Sequence, residues 1–228
     1  MLLIVGAVLV TLVVCAVVGW RLAQLRPAWW PPPPDLEAAN RVGQQLENAV
    51  SATLTDQRPP DDTWSLVIRQ DHANAWLAGR MPKWLANRSV RVPDRYLGAA
   101  VSFERGTMHL TVELARGTGP ESPSRWLGIA VAPSIEPPGD EIALRPVGAR
   151  IGQLRMPFGA IAGRDLAKRL GLRDDPGRAI QSAAFRAVVT GEPMRIPAVF
   201  RLDDGRRVRV LGVAVDSGAL TLTCRTER

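Results

Sequence analysis

Leu97-Gly98-Ala99-Ala100-Val101-Ser102-Phe103-Glu104-Arg105-Gly106-Thr107-Met108-His109-Leu110-Thr111-Val112-Glu113-Leu114 is the stretch from which the fold is read. Its apolar residues recur at every second position, the period of a strand whose side chains alternate between two faces. Ala99, Val101 and Phe103 share one face, Arg105-Gly106 turns the chain, and Met108, Leu110, Val112 and Leu114 return facing inward, which makes a β-hairpin. His109 then falls on the outward face with Thr107, Thr111 and Glu113, where it is expected to meet solvent.

The same period continues toward the C-terminus. Strands are predicted over 126–131 and 141–154, joined by the turn Pro137-Pro138-Gly139-Asp140. Helical spacing follows over 161–170 and 176–190, with Ile180, Ala184 and Val188 on one face of the second segment. The chain closes in a three-stranded meander, 196–202, 206–215 and 219–225, with turns at Asp203-Asp204-Gly205 and Asp216-Ser217-Gly218.

Toward the N-terminus, Trp64, Leu66 and Ile68 mark one face of a strand. Asp71 is placed to cap a short helix ending at Gly79, and Pro82 to Ala86 reads as a second helical turn. Upstream, Asp35 is an N-cap, and Leu36, Ala39, Val42, Leu46, Val50 and Leu54 form the stripe of an amphipathic helix running to about Thr53, expected to pack on the sheet. Helices and antiparallel strands are segregated. The class is therefore α+β, a curved antiparallel sheet packed with helices in one domain over 35–228.

Before that domain, Leu2 to Trp20 carries no charged side chain. About 19 residues at ~1.5 Å each give a helix of roughly 28 Å, close to the hydrocarbon thickness of a bilayer. Residues 1–26 are read as a transmembrane anchor, with Leu2 and Leu12 in its apolar body and Trp20 and Arg21 at its boundary. The apolar run is longer than the core of a signal peptide, and Gly19-Trp20-Arg21-Leu22 is a poor cleavage site. Trp29-Trp30 and Pro31 to Pro34 make a stiff linker over 27–34. The domain is read as extracytoplasmic, although Arg21 and Arg26, with no basic residue before the apolar run, bias the orientation the other way.

The net charge of +7 is spread along the chain rather than gathered on one helix or aromatic strand, so no nucleic-acid partner is expected. Cys15 lies in the apolar run and Cys224 near the C-terminus, so they form no disulfide within the domain.

One set of motifs goes further. A strand runs into Asp71-His72-Ala73-Asn74-Ala75-Trp76-Leu77, and a later strand ends in Gly152-Gln153-Leu154-Arg155-Met156-Pro157. With the N-terminal anchor, this order resembles the YpmS-like family of uncharacterised bacterial single-pass membrane proteins. Asp71, Asn74 and Leu77 sit where that family has an E-x-x-N-x-x-L helix start, and Gly152 to Pro157 matches its G-x-L-x-x-P strand end. The resemblance implies a lipid-handling β-rich fold in which a long curved sheet and helices enclose an apolar groove. It implies no catalytic residues.

Chemistry-bearing residues point the same way. His72 and His109 are the only histidines, and neither has the carboxylate or cysteine company of a metal or general-base site. Gly159-Ala160-Ile161-Ala162-Gly163 lacks the third glycine of a dinucleotide loop and the lysine of a P-loop. No enzyme activity, cofactor or metal is expected. Trp76, Leu77, Met81, Trp84 and Leu85 are the candidate groove or membrane contacts, with core packing as the plainer reading. Arg206, Arg207 and Arg209 are candidate contacts for lipid phosphate or an acidic partner, with a charge-guarded edge strand as the plainer reading. The functional expectation is a membrane-anchored, non-enzymatic envelope protein that binds a lipid or other amphiphile in an apolar groove. The alternative is a tethered protein-interaction scaffold in an envelope assembly.

Overall fold

Two antiparallel sheets and two adjoining helices carry out most of the alternation in the sequence. The computed structural model describes residues 2–32, 34–59, 61–90, 92–117, 122–156, 191–202 and 204–227, of which 2–10, 12 and 156 as backbone only. The helices expected over 161–170 and 176–190 and the glycine-rich stretch at 159–163 lie outside the described residues.

The larger sheet has the order β2 (Tyr96–Glu104), β3 (Thr107–Ala115), β4 (Ser124–Glu136), β5 (Glu141–Ile151) and β6 (Leu154–Met156), with β7 (Met194–Pro197) also paired to β5. The smaller sheet has the order β1 (Thr63–Arg69), β10 (Ala219–Glu227), β9 (Arg207–Asp216) and β8 (Val199–Arg201). The first strand of the expected meander is thus divided: β7 joins the larger sheet and β8 the smaller. Pro197 has no N–H to extend a ladder, and the fully buried Ala198 between them bonds across both sheets, its N–H to Asp140 O and its carbonyl to Val210 N.

Between the sheets lies a filled core. Trp64, Ile142, Val208, Val210 and Cys224 are buried there with Leu54, Leu66 and Leu222 packed against them. The Trp64 indole donates to Thr226 Oγ1 at 3.3 Å, and the Arg58 guanidinium lies 4.5 Å from its ring centroid.

Helix α2 (Leu36–Thr55) starts on the expected cap: Asp35 accepts from the N–H groups of Glu37 and Ala38. Its main partner is α3 (Gln70–Gly79) rather than the sheet, on whose core Leu54 packs. Two glycines explain the change. A Cβ at Gly43 would stand 3.0 Å from Trp76 Cα, and one at Gly79 would stand 2.8 Å from Asn40 N, so the helices approach backbone to backbone. Asp71 does not cap α3. The helix begins two residues earlier than that cap implies, at Gln70, and Asp71 lies in its first turn, hydrogen-bonded to Arg69 and to the N–H of His72.

Helix α1 (Leu2–Gln24) docks its C-terminal end on the larger sheet. Gln153 supplies the clasp, its N–H donating to Leu22 O at 2.9 Å and its side-chain amide to Arg26 O at 2.8 Å. Beside it, Gly152 has φ +58°, and a Cβ there would lie 2.6, 2.7 and 2.8 Å from the carbonyl oxygens of Leu25, Ala23 and Leu22. Glycine is required on both counts. Among the described residues no helix is long and apolar enough to cross a membrane, and the side chains of Leu2 and Leu12 lie outside those residues.

Candidate functional site

The helix-start motif explains how the site is framed. β2 is the edge strand of its sheet, and an edge presents unpaired N–H and C=O groups. Asn74 on α3 closes one such pair reciprocally, its amide donating to Val101 O at 2.9 Å and its carbonyl accepting from Val101 N at 2.7 Å. Gln70 accepts from Phe103 N at 2.8 Å, and Gly218 N donates to Phe103 O at 3.1 Å. The edge is therefore sealed from Val101 onward, with Leu77 and Ala73 packed on Val101, Phe103 and Val215 beneath.

Ahead of Val101 the seal stops, and there the molecule opens. A cleft of about 1080 Å³ lies between the start of β2 (Tyr96 to Ala99), α3, the first turns of α2 and the linker residues Trp29, Trp30 and Pro31. Its walls are largely apolar, with Leu36, Val42, Leu77 and Leu97 among them. Asp71, His72, Tyr96 and Glu113 are the titratable groups on the strand and α3 side, and Arg26 and Asp35 on the linker side. Arg26 is engaged with the carbonyls of Trp30 and Pro31, and Arg69 holds the Asp71 carboxyl below its usual range against the opposing effect of burial. Three wall residues carry buried polar atoms that have no partner among the described residues: Trp29 Nε1, Tyr96 Oη and Trp126 Nε1. Burial pushes the Tyr96 phenol up to about 12.

Trp29 also lies against the sheet face that carries His109. That residue, expected in solvent, is buried, with 7% of its surface exposed, while Leu110 and Val112 on the expected inner face are 42% and 36% exposed. The alternation was correct, and both faces are covered in part: Val101, Phe103 and Met108 of the expected inner face pack under α3, while the His109 face is buried as well. Residues paired across a ladder share a face, so Ser102, His109 and Ala130 go together, but which face gains a cover depends on where α1 and the linker return. The His109 ring sits 6.4 Å from that of Trp29 and its Nε2 is 3.2 Å from Glu104 Oε2. Burial is the main influence lowering its pKa, with Arg150 and Arg155 acting in the same direction and Glu104 against them.

Of the five candidate groove residues, only Leu77 lines the cleft. Trp76 on α3 and Trp84 beyond its end do not line the cleft; their rings lie 6.2 Å apart in an edge-to-face contact. The Trp76 indole donates to Glu47 Oε1 at 2.8 Å, and Arg80 pairs with the same carboxylate at 2.7 Å, which together clasp α3 to α2. Met81 and Leu85 belong to the following helix, α4 (Met81–Asn87), where both are half-buried. Arg206 donates to Asp204 and to Asp56 O and Thr55 O, closing the C-terminal end of α2. Arg209 is held charged between Glu227 and Asp140, and Arg207 starts β9 opposite Glu227. The wall residues that sequence reasoning missed are Tyr96, Leu97 and Trp126. Trp29-Trp30 carried the usable signal, an aromatic pair held in place by prolines.

Among the described residues no group of three or more His, Cys, Asp or Glu is placed to hold a metal ion. Compared with known proteins, the chain matches no family model, no curated protein and no solved structure.

Proposed function

We propose that this chain is a membrane-anchored, non-enzymatic envelope protein that receives the apolar part of a lipid or other amphiphile in the cleft under its Trp/Pro linker. The observation that carries this reading is the cleft itself. At about 1080 Å³, with apolar walls and a few polar groups, it matches the size and lining of ligand sites, generally about 300–1,000 Å³.

The anchor reading is supported by α1. Its side chains Val13, Val14, Val17, Val18 and Trp20 are each more than half exposed, so this apolar surface is not used to pack on the domain. In water such a contiguous apolar surface is unfavourable, and a bilayer accommodates it. Because the linker is at once the continuation of α1 and a wall of the cleft, the cleft would stand beside the headgroup layer.

The test is native mass spectrometry of the full chain released from bacterial membranes in mild detergent, with organic extraction of what co-purifies. One amphiphile per chain is expected, and Ala78→Trp, which fills the cleft, should reduce its retention about tenfold, a loss of ~1.4 kcal/mol of affinity. A clean chain that takes up no amphiphile would sink the reading and favour the interaction scaffold.

A further inference from the structure

On the sheet face that carries His109, β5 and β6 bring two arginines together. Arg150 and Arg155 are direct cross-strand partners, and like charges in that arrangement repel. Neither is ion-paired among the described residues; the nearby Glu104 is bonded to His109. Arg150 is partly buried, and burial together with the Arg155 charge lowers its pKa against the opposing influence of Glu104. The placement of the pair is specific. Arg155 lies two residues from Gln153, whose N–H is bonded to Leu22 O, and Arg21, exposed in the last turn of α1, lies next to Leu22.

We propose that Arg150 and Arg155, with Arg21, form a basic surface that binds the phosphates of anionic lipid headgroups around the emerging end of α1. The inference rests on the anchor reading and not on the cleft: if α1 spans the bilayer, its clasped C-terminal end lies at the headgroup level and carries β5 and β6 with it. Guanidinium groups pair bidentately with phosphate oxygens, which relieves the repulsion between the two cross-strand charges. A freely diffusing phosphate would have no reason to meet this pair at the foot of a membrane helix, so the lipid headgroup is the partner the geometry favours.

The experiment inserts the full chain in nanodiscs of phosphatidylcholine with about a third phosphatidylglycerol and counts the lipids retained on ejection by native mass spectrometry. The wild-type chain is expected to keep phosphatidylglycerol over phosphatidylcholine by about tenfold. Arg150→Gln/Arg155→Gln should bring the two lipids near parity, while Arg150→Lys/Arg155→Lys and the remote Arg201→Gln should keep most of the preference. Equal retention by the wild-type chain, or a preference that survives the double glutamine variant, would overturn the proposal. Co-elution of chain and nanodisc is read separately: a chain that does not insert overturns the anchor reading and this inference with it. A lipid retained in the cleft is recognised by its loss in Ala78→Trp and its persistence in the arginine variants.

Discussion

The two ends of this domain use the same kinds of residue to opposite effect. Where β1, β8, β9 and β10 face β5, Trp64, Val208, Val210 and Ile142 meet side chain to side chain and leave little surface. Where β2 begins, Tyr96, Leu97 and Ala99 look across an open cleft at a tryptophan and a run of prolines. Alternation is equally good in both places. What differs is the cover: a second sheet can interdigitate with the first, whereas a proline-stiffened linker without N–H groups to pair can only span the gap.

The largest effect that can break this contrast is at Trp64. Trp64→Ala removes a buried indole and its bond to Thr226, and should cost about 3–5 kcal/mol of unfolding free energy in a denaturant titration. Leu97→Ala, at a site 54% exposed in the cleft wall, should stay within about 0.5 kcal/mol of the wild type. If Leu97→Ala proves as costly as Trp64→Ala, the open end is packed in solution and the cleft reading falls.

The boundary between the two ends is set by Asn74. Removing its amide in Asn74→Ala orphans both Val101 N and Val101 O at a partly buried edge, for about 2 kcal/mol. Hydrogen exchange should show the loss locally, at the amide of Val101 and not in β9 or β10. Asn74→Asp keeps the acceptor but loses the donor, and should fall between the two. An unchanged Val101 exchange rate would mean that the edge is sealed by something other than α3.

Much of this frame was legible in the sequence, because it depends on local periods and turns. The β2–β3 hairpin, the Asp35 cap, the strand from Trp64 and the helix ending at Gly79 all stand where the residues put them. What was not legible depends on contacts between distant segments. His109 was assigned to solvent because its strand neighbours are polar, yet Trp29, 80 positions away in sequence, covers it. Trp76 and Trp84 were read as groove candidates, with core packing as the plainer reading, and Gly43 and Gly79 draw α2 against α3 so that the Trp76 indole meets Glu47. Arg206 and Arg209 were read as candidates for an outside anion, with a charge-guarded edge strand as the plainer reading, and their carboxylate and carbonyl partners come from across the chain.

The smallest effect is also the cleanest, because Tyr96 is the single tyrosine of the chain and stands where the sealed edge gives way to the cleft. Its phenol is raised from an ordinary value of 10.0 to about 12 by burial alone, with no hydrogen-bond partner for the hydroxyl among the described residues. A group whose folded pKa lies above its unfolded value adds stability that is fully present below the unfolded value, and here that contribution is lost as pH climbs from about 10 through about 12. Ultraviolet titration of the phenolate band in the folded chain should therefore give one midpoint near 12, against one near 10 in denaturant. A folded-state midpoint near 10 would place the hydroxyl in water, which would mean that the linker stands away from β2 and that the cleft is wider at this wall. An amphiphile that settles against Tyr96 should hold the midpoint high, since excluding water from the hydroxyl disfavours the phenolate.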